Sequence, residues 1–123
     1  MKTLLVIGTG GFIGTIFRYS FSQFIQTRVL STFPFGTLGV NLLGCLVIGL
    51  VFDLSERTNM NPEWLLFLAT GICGGFTTFS AFSNETFSLL RDGQVWYASV
   101  YIIASVLLGV LATFTGYSIL KLI

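Results

Sequence analysis

The stretch Gly71-Ile-Cys-Gly-Gly-Phe-Thr-Thr-Phe-Ser-Ala-Phe-Ser83 decides how this chain folds. It lies inside an apolar segment long enough to cross a bilayer, yet it contains little Leu, Ile or Val. Every backbone polar group in hydrocarbon must be satisfied internally, so a glycine-rich interruption survives only where it is buried or lines a cavity. The stretch therefore predicts the functional part of a membrane protein rather than a simple anchor.

The composition predicts an all-α membrane protein. Of 123 residues, 54% are hydrophobic and only 9% are charged, whereas roughly 25% of residues in a soluble domain are charged. A helix needs about 20 apolar residues to cross the hydrocarbon core, and four runs of the chain approach or exceed that length. We expect one four-helix transmembrane channel domain over residues 1–123, with spans at about residues 3–24, 33–53, 64–90 and 95–120. The longest loop is expected to be solvated and holds four charged residues: Asp53, Glu56, Arg57 and Glu63.

The basic residues give almost no bias between the two sides of the membrane. The two sides carry similar counts: Lys2, Arg57 and Lys121 on one, Arg28, Arg91 and the marginal Arg18 on the other. Orientation normally follows an excess of Lys and Arg in the cytoplasmic loops. Small counts vary by chance, but we favour insertion in both orientations, which allows an antiparallel homodimer with its two-fold axis in the membrane plane.

The first two spans contain two polar side chains that need an explanation. Gly10 and Gly14 form a small-xxx-small pair that indicates close helix packing. Arg18 follows one turn later, and a charge at this depth either reaches for the headgroups or faces an aqueous vestibule that attracts anions. Asn41 in span two needs a hydrogen-bond partner. It either bonds another helix or donates its amide N–H groups to an anion, and the sequence leaves both alternatives open.

Span three is predicted to be a helix interrupted in the middle. Gly74 and Gly75 tolerate backbone angles that other residues avoid, and an unwound turn would free carbonyl oxygens that can coordinate a cation. Phe79 and Phe82 then share one helical face, and a phenyl ring has a positive edge that can polarise an anion. The hydroxyls of Ser80 and Ser83 form a parallel stripe beside these rings.

Span four carries small and polar residues at helical spacing. Tyr101 and Ser105, together with Glu85 at the end of span three, predict a polar path leading outward from the phenylalanine pair. Thr113 adds a further hydroxyl nearby. Close packing alone would explain the small residues of this span.

Several function classes are excluded or disfavoured. The chain has no histidine, no Cys-x-x-Cys pair and no acid dyad, so we expect no enzyme. Cys45 and Cys73 are expected to pack as small hydrophobic residues. A small multidrug-type cation/proton antiporter is similar in size but requires a glutamate in span one, where this chain has Arg18. A helper subunit of a larger complex is a third hypothesis, which the polar chemistry of span three disfavours.

At this point the chain resembles the Fluc (CrcB) family of bacterial fluoride channels over essentially its whole length. The resemblance lies in Gly39-Val-Asn41-Leu-Leu-Gly44 of span two and in Gly74-Gly-Phe-Thr-Thr-Phe-Ser-Ala-Phe-Ser83 of span three. Gly71 and Arg18 also match the family pattern. The span-three motif is long and unusual, so the resemblance is specific.

The resemblance implies a fluoride-selective channel for passive export, in the bacterial cytoplasmic membrane, with no role for nucleic acid. It implies an antiparallel, dual-topology homodimer that contains two pores. By resemblance the pore is lined by Asn41, Phe79, Ser80 and Phe82, with Arg18 in the vestibule and Glu85, Tyr101, Ser105 and Thr113 in a polar track beyond the rings. The backbone carbonyls of Gly74 and Thr77 match a structural sodium site shared by both subunits at the dimer interface.

Overall fold

The computed structural model describes residues Met1–Ile123 and contains helices but no strands. The helices are α1 (Lys2–Arg28), α2 (Phe35–Thr58), α3 (Pro62–Leu65), a π-helix (Leu66–Cys73), α4 (Gly74–Phe76), α5 (Phe79–Arg91), α6 (Val95–Ser118) and a 3₁₀ turn (Ile119–Lys121). Four continuous segments are long and apolar enough to cross a membrane: Lys2–Arg28, Phe35–Thr58, Pro62–Arg91 and Val95–Lys121. The prediction of an all-helical membrane protein with four spanning segments is confirmed.

The third segment consists of two helical parts. Its first half, residues 62–76, passes from α-helix to π-helix and back to α-helix. Thr77 (φ −86°, ψ 159°) and Thr78 (φ −151°, ψ 119°) then adopt extended backbone angles. The second half is α5, which begins at Phe79 because the hydroxyl of Thr78 accepts a hydrogen bond from the amide of Ala81 at 3.2 Å. A threonine cap of this kind satisfies a free N–H group in the first turn.

Contacts at the two ends of the bundle establish the up-and-down order of the helices. The ammonium group of Lys2 lies 3.1 Å from a carboxylate oxygen of Glu63, so α1 and the third segment begin at the same end. At the opposite end, the hydroxyl of Thr32 lies 3.1 Å from the amide oxygen of Gln94. The loop between α1 and α2 therefore lies beside the turn between α5 and α6.

Helix α1 packs on the first half of the third segment through glycines. A Cβ atom at Gly10 would lie 2.6 Å from the carbonyl oxygen of Phe67 and 2.9 Å from the Cα of Gly71. A Cβ at Gly14 would collide with the carbonyl of Ile72. The small-xxx-small pair of α1 thus allows backbone-to-backbone contact, as predicted for close helix packing in membranes.

Helices α2 and α6 meet in the same way. A Cβ at Gly49 would collide with the carbonyl oxygen of Thr113, and a Cβ at Gly116 would collide with that of Leu46. The bundle is therefore built from two closely packed helix pairs, α1 with residues 62–76 and α2 with α6. Helix α5 projects beyond the first pair and packs against α6.

The predicted solvated loop after span two is wrong for Asp53. Helix α2 continues to Thr58 and ends at Asn59, which has a left-handed backbone (φ 49°). Asp53 is therefore inside the helix, and only 2% of it is exposed. Its carboxylate accepts a hydrogen bond at 2.8 Å from the guanidinium of Arg57, one turn later. The partner at i+4 supplies the charge that makes this burial tolerable.

A small aromatic and apolar core lies at the end where the α1–α2 loop meets α5 and α6. It consists of Phe33, Leu89, Ala98 and Tyr101, with Phe82 packed against it. Most other large apolar side chains are exposed on the outer surfaces of the helices. This inverted distribution fits a bundle whose outer surface lies in lipid.

Candidate functional site

Phe79 and Phe82 lie together at the start of α5. Their ring centroids are 5.6 Å apart, with the planes tilted by 47°. Phe79 is 77% exposed in the single chain, whereas Phe82 is half-buried. The ring of Phe82 also packs on Tyr101 of α6, with centroids 5.0 Å apart. The predicted phenylalanine pair is thus attached to the rest of the bundle through Phe82.

Asn41 pairs with the backbone of Thr78 in both directions. Its amide nitrogen donates to the carbonyl of Thr78 at 3.0 Å, and its amide oxygen accepts from the N–H of Thr78 at 2.8 Å. The N–H of Thr78 thereby bonds to α2 instead of to the carbonyl of Gly74, four residues earlier. The structure therefore shows the helix-to-helix alternative for Asn41. An amide nitrogen has two N–H groups, so one remains for another acceptor.

A central cavity of about 390 Å³ brings several of the predicted residues together. Among the residues that line it are Asn41, Phe79, Phe82 and Ser105. Gly74 and Thr77 line the same cavity, as do Cys45 and Cys73. Aromatic rings, an amide and a hydroxyl thus converge in one open cavity, next to the extended residues Thr77 and Thr78 of the third segment.

Two hydroxyl groups beside this cavity are buried without a partner. The hydroxyl of Tyr101 and that of Ser105 have no hydrogen-bond partner within 3.5 Å in the chain, although both oxygen atoms are shielded from the surface. Tyr101 is fully buried, and its hydroxyl faces that of Thr37 at a longer distance. Buried polar groups are almost always paired, so these two hydroxyls are exceptions within the bundle.

Arg18 lies in a second cavity, which we call the vestibule. It has a volume of about 720 Å³ and is lined mainly by polar residues, among them Arg18, Ser80, Asn84 and Thr37. The three salt bridges of the chain leave Arg18 out, so its charge is not neutralised by a carboxylate. The hydroxyl of Ser80 lies 3.2 Å from that of Thr78. The vestibule therefore presents one free positive charge and several hydroxyls.

Glu85 lies in a third cavity, at the end of the bundle near Gln94. This outer cavity has a volume of about 290 Å³, and Asp92 and Ser88 also line it. The hydroxyl of Thr37 donates to the carboxylate of Glu85 at 2.6 Å. Thr37 borders both the vestibule and the outer cavity.

Thr37 was missed by the sequence interpretation. It lies four residues before Asn41, so both side chains project from one face of α2. That spacing, joined to the hydroxyl, was the pattern that could have identified it. Thr78, which caps α5 and bonds Asn41, was also missed because its role depends on backbone atoms.

Ser83 and Thr113 line none of the central cavity, the vestibule and the outer cavity. Ser83 is exposed. Thr113 lines a groove of about 620 Å³ between α2 and α6, which it shares with Ser105. The hydroxyl of Thr113 donates to the carbonyl of Gly109 at 3.1 Å, so its proton is already used within its own helix.

The residues predicted to bind a cation offer backbone oxygens only. The carbonyls of Gly74 and Thr77 accept none of the backbone hydrogen bonds formed outside the helices. No group of three or more His, Cys, Asp or Glu side chains could hold a metal ion. Any cation held at this place would therefore be a hard ion that accepts carbonyl oxygens as ligands.

Comparisons with known proteins agree with this architecture. The family described as "CrcB-like protein, Camphor Resistance (CrcB)" matches residues 5–117. The chain is 48% identical over 122 residues to the fluoride-specific ion channel FluC of Flavobacterium psychrophilum, covering 98% of both chains. It is 45% identical to the FluC protein of Phocaeicola vulgatus, covering 94% of this chain and 96% of that one. A FluC protein of Chlorobium phaeobacteroides is 44% identical over 97% of this chain and 93% of the relative. This chain is therefore a multi-pass membrane protein that belongs to the CrcB family.

Proposed function

We propose that this protein is a fluoride-selective channel through which cytoplasmic fluoride leaves the cell passively. The observation that carries the proposal is the pair of buried, unpartnered hydroxyls on Tyr101 and Ser105 beside Phe82. A buried donor without a partner costs about 1–3 kcal/mol, and a small anion that accepts hydrogen bonds would recover this energy while it passes. The names of the relatives point to the same ion.

Entry to the pathway depends on the charge in the vestibule. The unneutralised guanidinium of Arg18 raises the local concentration of anions, because a cleft lined by one sign of charge concentrates the opposite ion. The hydroxyl of Ser80 and the amide of Asn84 offer hydrogen bonds in the same cavity. These groups replace part of the hydration shell of an entering fluoride ion.

The phenylalanine pair supplies a weak interaction that does not trap the ion. The edge of a phenyl ring carries partial positive charge, and the tilted arrangement of Phe79 and Phe82 presents ring edges as well as faces. Conduction requires binding that is strong enough for entry and weak enough for release. The free N–H of Asn41 and the hydroxyl of Ser105 then provide hydrogen bonds in the same cavity as the rings.

We place Tyr101 next to Phe82 on the polar track, with Glu85 on the same helix as the two rings. The hydroxyl of Thr37 donates to Glu85 and borders both the vestibule and the outer cavity, so these two cavities lie at the same end of the pathway. The membrane potential drives the flow, because moving one charge across the membrane yields about 2.3 kcal/mol per 100 mV.

We further propose that the channel is an antiparallel, dual-topology homodimer. The free carbonyls of Gly74 and Thr77 and the exposed ring of Phe79 lie on a part of the third segment that the single chain leaves open. Unsatisfied backbone groups cannot face lipid, because each costs several kcal/mol. A second copy of the chain would cover this surface. The even distribution of Lys and Arg between the two sides supports the antiparallel arrangement.

The same open backbone fits a structural sodium ion shared by the two copies. Gly74 and Thr77 would each contribute a carbonyl oxygen, and the symmetry-related residues of the second copy would complete the ligand set. The absence of carboxylate, thiol and imidazole clusters agrees with a hard, singly charged cation. The ion would link the subunits and balance the carbonyl dipoles.

Neither an enzyme nor a cation/proton antiporter is supported by the structure. Helix α1 contains no acidic residue, so the glutamate that an antiporter of this size needs in its first span is missing. The vestibule carries a positive charge instead, which repels cationic substrates. The fluoride channels among the relatives match nearly the whole chain.

Purified protein in liposomes tests the proposal directly. Vesicles loaded with potassium fluoride, clamped with valinomycin, should release fluoride to an electrode and retain chloride under the same conditions. Replacing Phe79 or Phe82 with Ile should slow the release about tenfold or more while the dimer still forms, since tenfold in rate corresponds to about 1.4 kcal/mol in the barrier.

Phe87 provides the matched control for these variants. It lies on the same helix but is 62% exposed and contacts no other aromatic ring in the chain. The Phe87→Ile variant should conduct like the unmodified protein. Absence of fluoride release from the unmodified protein would refute the channel hypothesis, and unchanged release from both ring variants would reduce the phenylalanine pair to a packing role.

A further inference from the structure

Phe33 is a buried aromatic residue outside every predicted part of the pathway. It lies in the loop between α1 and α2, yet only 7% of it is exposed. Its ring meets Tyr101 edge-on at a centroid distance of 5.6 Å and Tyr97 at 5.6 Å. A loop residue that inserts between two tyrosines of α6 is unusual, because loops generally run over the surface.

This insertion continues an unbroken series of rings to the pore. Phe33 contacts Tyr101 at 5.6 Å, Tyr101 contacts Phe82 at 5.0 Å, and Phe82 contacts Phe79 at 5.6 Å. Tyr101 is fully buried between its two aromatic neighbours. The ring of Tyr101 therefore contacts both Phe33 and Phe82 within one buried cluster.

Gln26 holds the loop that carries Phe33. Its amide nitrogen donates to the carbonyl of Ser31 at 2.8 Å and to that of Phe33 at 3.4 Å. Its amide oxygen accepts from the N–H of Gly36 at 3.1 Å. One side chain at the end of α1 thus bonds the loop before, at and after the inserted ring. A loop satisfied at three points by a single amide has little freedom to move.

We infer that Gln26 and Phe33 are positioning residues for the ion pathway, which fix Tyr101 against Phe82 and thereby set the angle of the ring pair. The inference rests on the proposed function. It follows from the narrow angular range in which a ring edge, rather than a ring face, meets a passing anion. Neither residue needs to touch the ion, because both act through Tyr101.

The first test replaces the aromatic ring of Phe33 with an aliphatic side chain that can still be buried. Phe33→Leu should slow fluoride release from liposomes by about three- to tenfold, which corresponds to about 0.7–1.4 kcal/mol in the barrier, because aromatic contacts with Tyr101 are lost. Combined with Phe82→Leu, it should cause little additional slowing, because both changes release the same ring pair. Phe87→Leu is the control on the same pore helix and should leave the rate unchanged, alone and in combination.

The second test changes Gln26, whose side chain holds the loop. It does not depend on whether the protein still folds with a substitution at Phe33. Gln26→Glu keeps an oxygen acceptor for Gly36 but loses both donations to the loop carbonyls. It should reproduce the slowing seen with Phe33→Leu. The four tyrosines of the chain allow a direct observation as well. With 3-fluorotyrosine incorporated, the fluorine resonance of Tyr101, assigned by Tyr101→Phe, should shift in both variants and stay in place in Phe87→Leu.

The possible outcomes separate the inference from the proposed function. Unmodified protein that releases no fluoride overturns the channel and the positioning role together. Conducting protein whose Phe33→Leu and Gln26→Glu variants release fluoride at the normal rate overturns the positioning role alone. Slowing that multiplies fully with that of Phe82→Leu also overturns it, because independent effects would then act on separate steps.

Discussion

The two halves of the third membrane segment have different roles: the first packs closely on α1, and the second lines cavities. Residues 62–76 pack backbone against backbone on α1, through Gly71 and its neighbours. Helix α5 instead presents rings and hydroxyls to three cavities. The contact of the first half with α1 centres on glycine backbone, with the rings of Phe21 and Phe76 beside it, whereas the second half depends on its side chains. Thr77 and Thr78 separate the two with extended backbone.

The comparison shows how a small bundle can hold a polar path in a membrane. The closely packed half fixes the position of the N-terminus of α5. The hydrogen bonds between Asn41 and Thr78 attach that N-terminus to α2. The comparison leads to three predictions. The first disrupts the packing of residues 62–76 (the packed half), the second breaks the Asn41–Thr78 hydrogen bonds, and the third removes a charge from the vestibule beside α5 (the polar half).

The largest effect should come from the packed half. Replacing Gly14 with Leu would drive a side chain into the carbonyl of Ile72 and to within 2.9 Å of the amide nitrogen of Phe76 at its Cβ alone. These are backbone atoms and cannot rotate away. Overpacking typically costs about 1–3 kcal/mol, and we expect the upper end or more here. The variant should lose its monodisperse peak in detergent size-exclusion chromatography.

Gly8 supplies the matched control on the same helix. A Cβ at Gly8 would meet nothing within 4 Å. Gly8→Leu should therefore keep the elution profile and melting temperature of the unmodified protein. If Gly14→Leu behaved in the same way as Gly8→Leu, the close contact between α1 and residues 62–76 would be refuted.

Much of the packed half was predictable from the sequence. The spacing of Gly10 and Gly14 on one helical face predicts close approach, because this follows from helix geometry alone. The charge of Asp53 predicts a solvated loop, but Asp53 lies inside α2 because Arg57 one turn later pairs with its carboxylate. Local composition does not reveal whether a charged residue meets a partner within its own helix.

The second prediction breaks the connection between the halves. Asn41→Asp keeps the acceptor for the N–H of Thr78 but removes the donor to its carbonyl and adds a negative charge to the central cavity. Because that charge repels an anion, fluoride release should fall about tenfold or more, which corresponds to about 1.4 kcal/mol in the barrier. The measurement is the initial rate at the fluoride electrode.

Asn61 controls for the same exchange outside the pathway. Its side chain caps α3 by accepting from the N–H of Glu63 at 2.9 Å, and an aspartate can do the same. Asn61→Asp should leave the release rate unchanged. Equal rates in Asn41→Asp and the unmodified protein would show that Asn41 lies away from the ion path and serves packing alone.

Fewer of the residues that position the polar half could be predicted from the sequence. Phe79, Phe82, Asn41 and Ser105, which the sequence indicates as pathway residues, line one cavity in the structure, and their role in ion passage stays a prediction. Thr37, Phe33 and Gln26 were not, because their roles come from the fold of the α1–α2 loop and from contacts between residues far apart in sequence. No periodicity marks a loop residue that inserts between two helices.

The smallest effect should come from the vestibule charge. Arg18→Gln removes a guanidinium that no carboxylate neutralises, while the other vestibule groups remain. Fluoride release should slow by roughly two- to fivefold at low ionic strength, because the charge acts by concentrating anions. The difference should shrink at about 1 M salt, where the screening length is roughly 3 Å.

Arg18→Lys should restore most of the rate. Arg28→Gln is the control, since Arg28 lies at the far end of α1 over the ring of Phe24. A deficit in Arg18→Gln that is independent of salt would contradict attraction of anions and assign Arg18 a contact within the bundle instead.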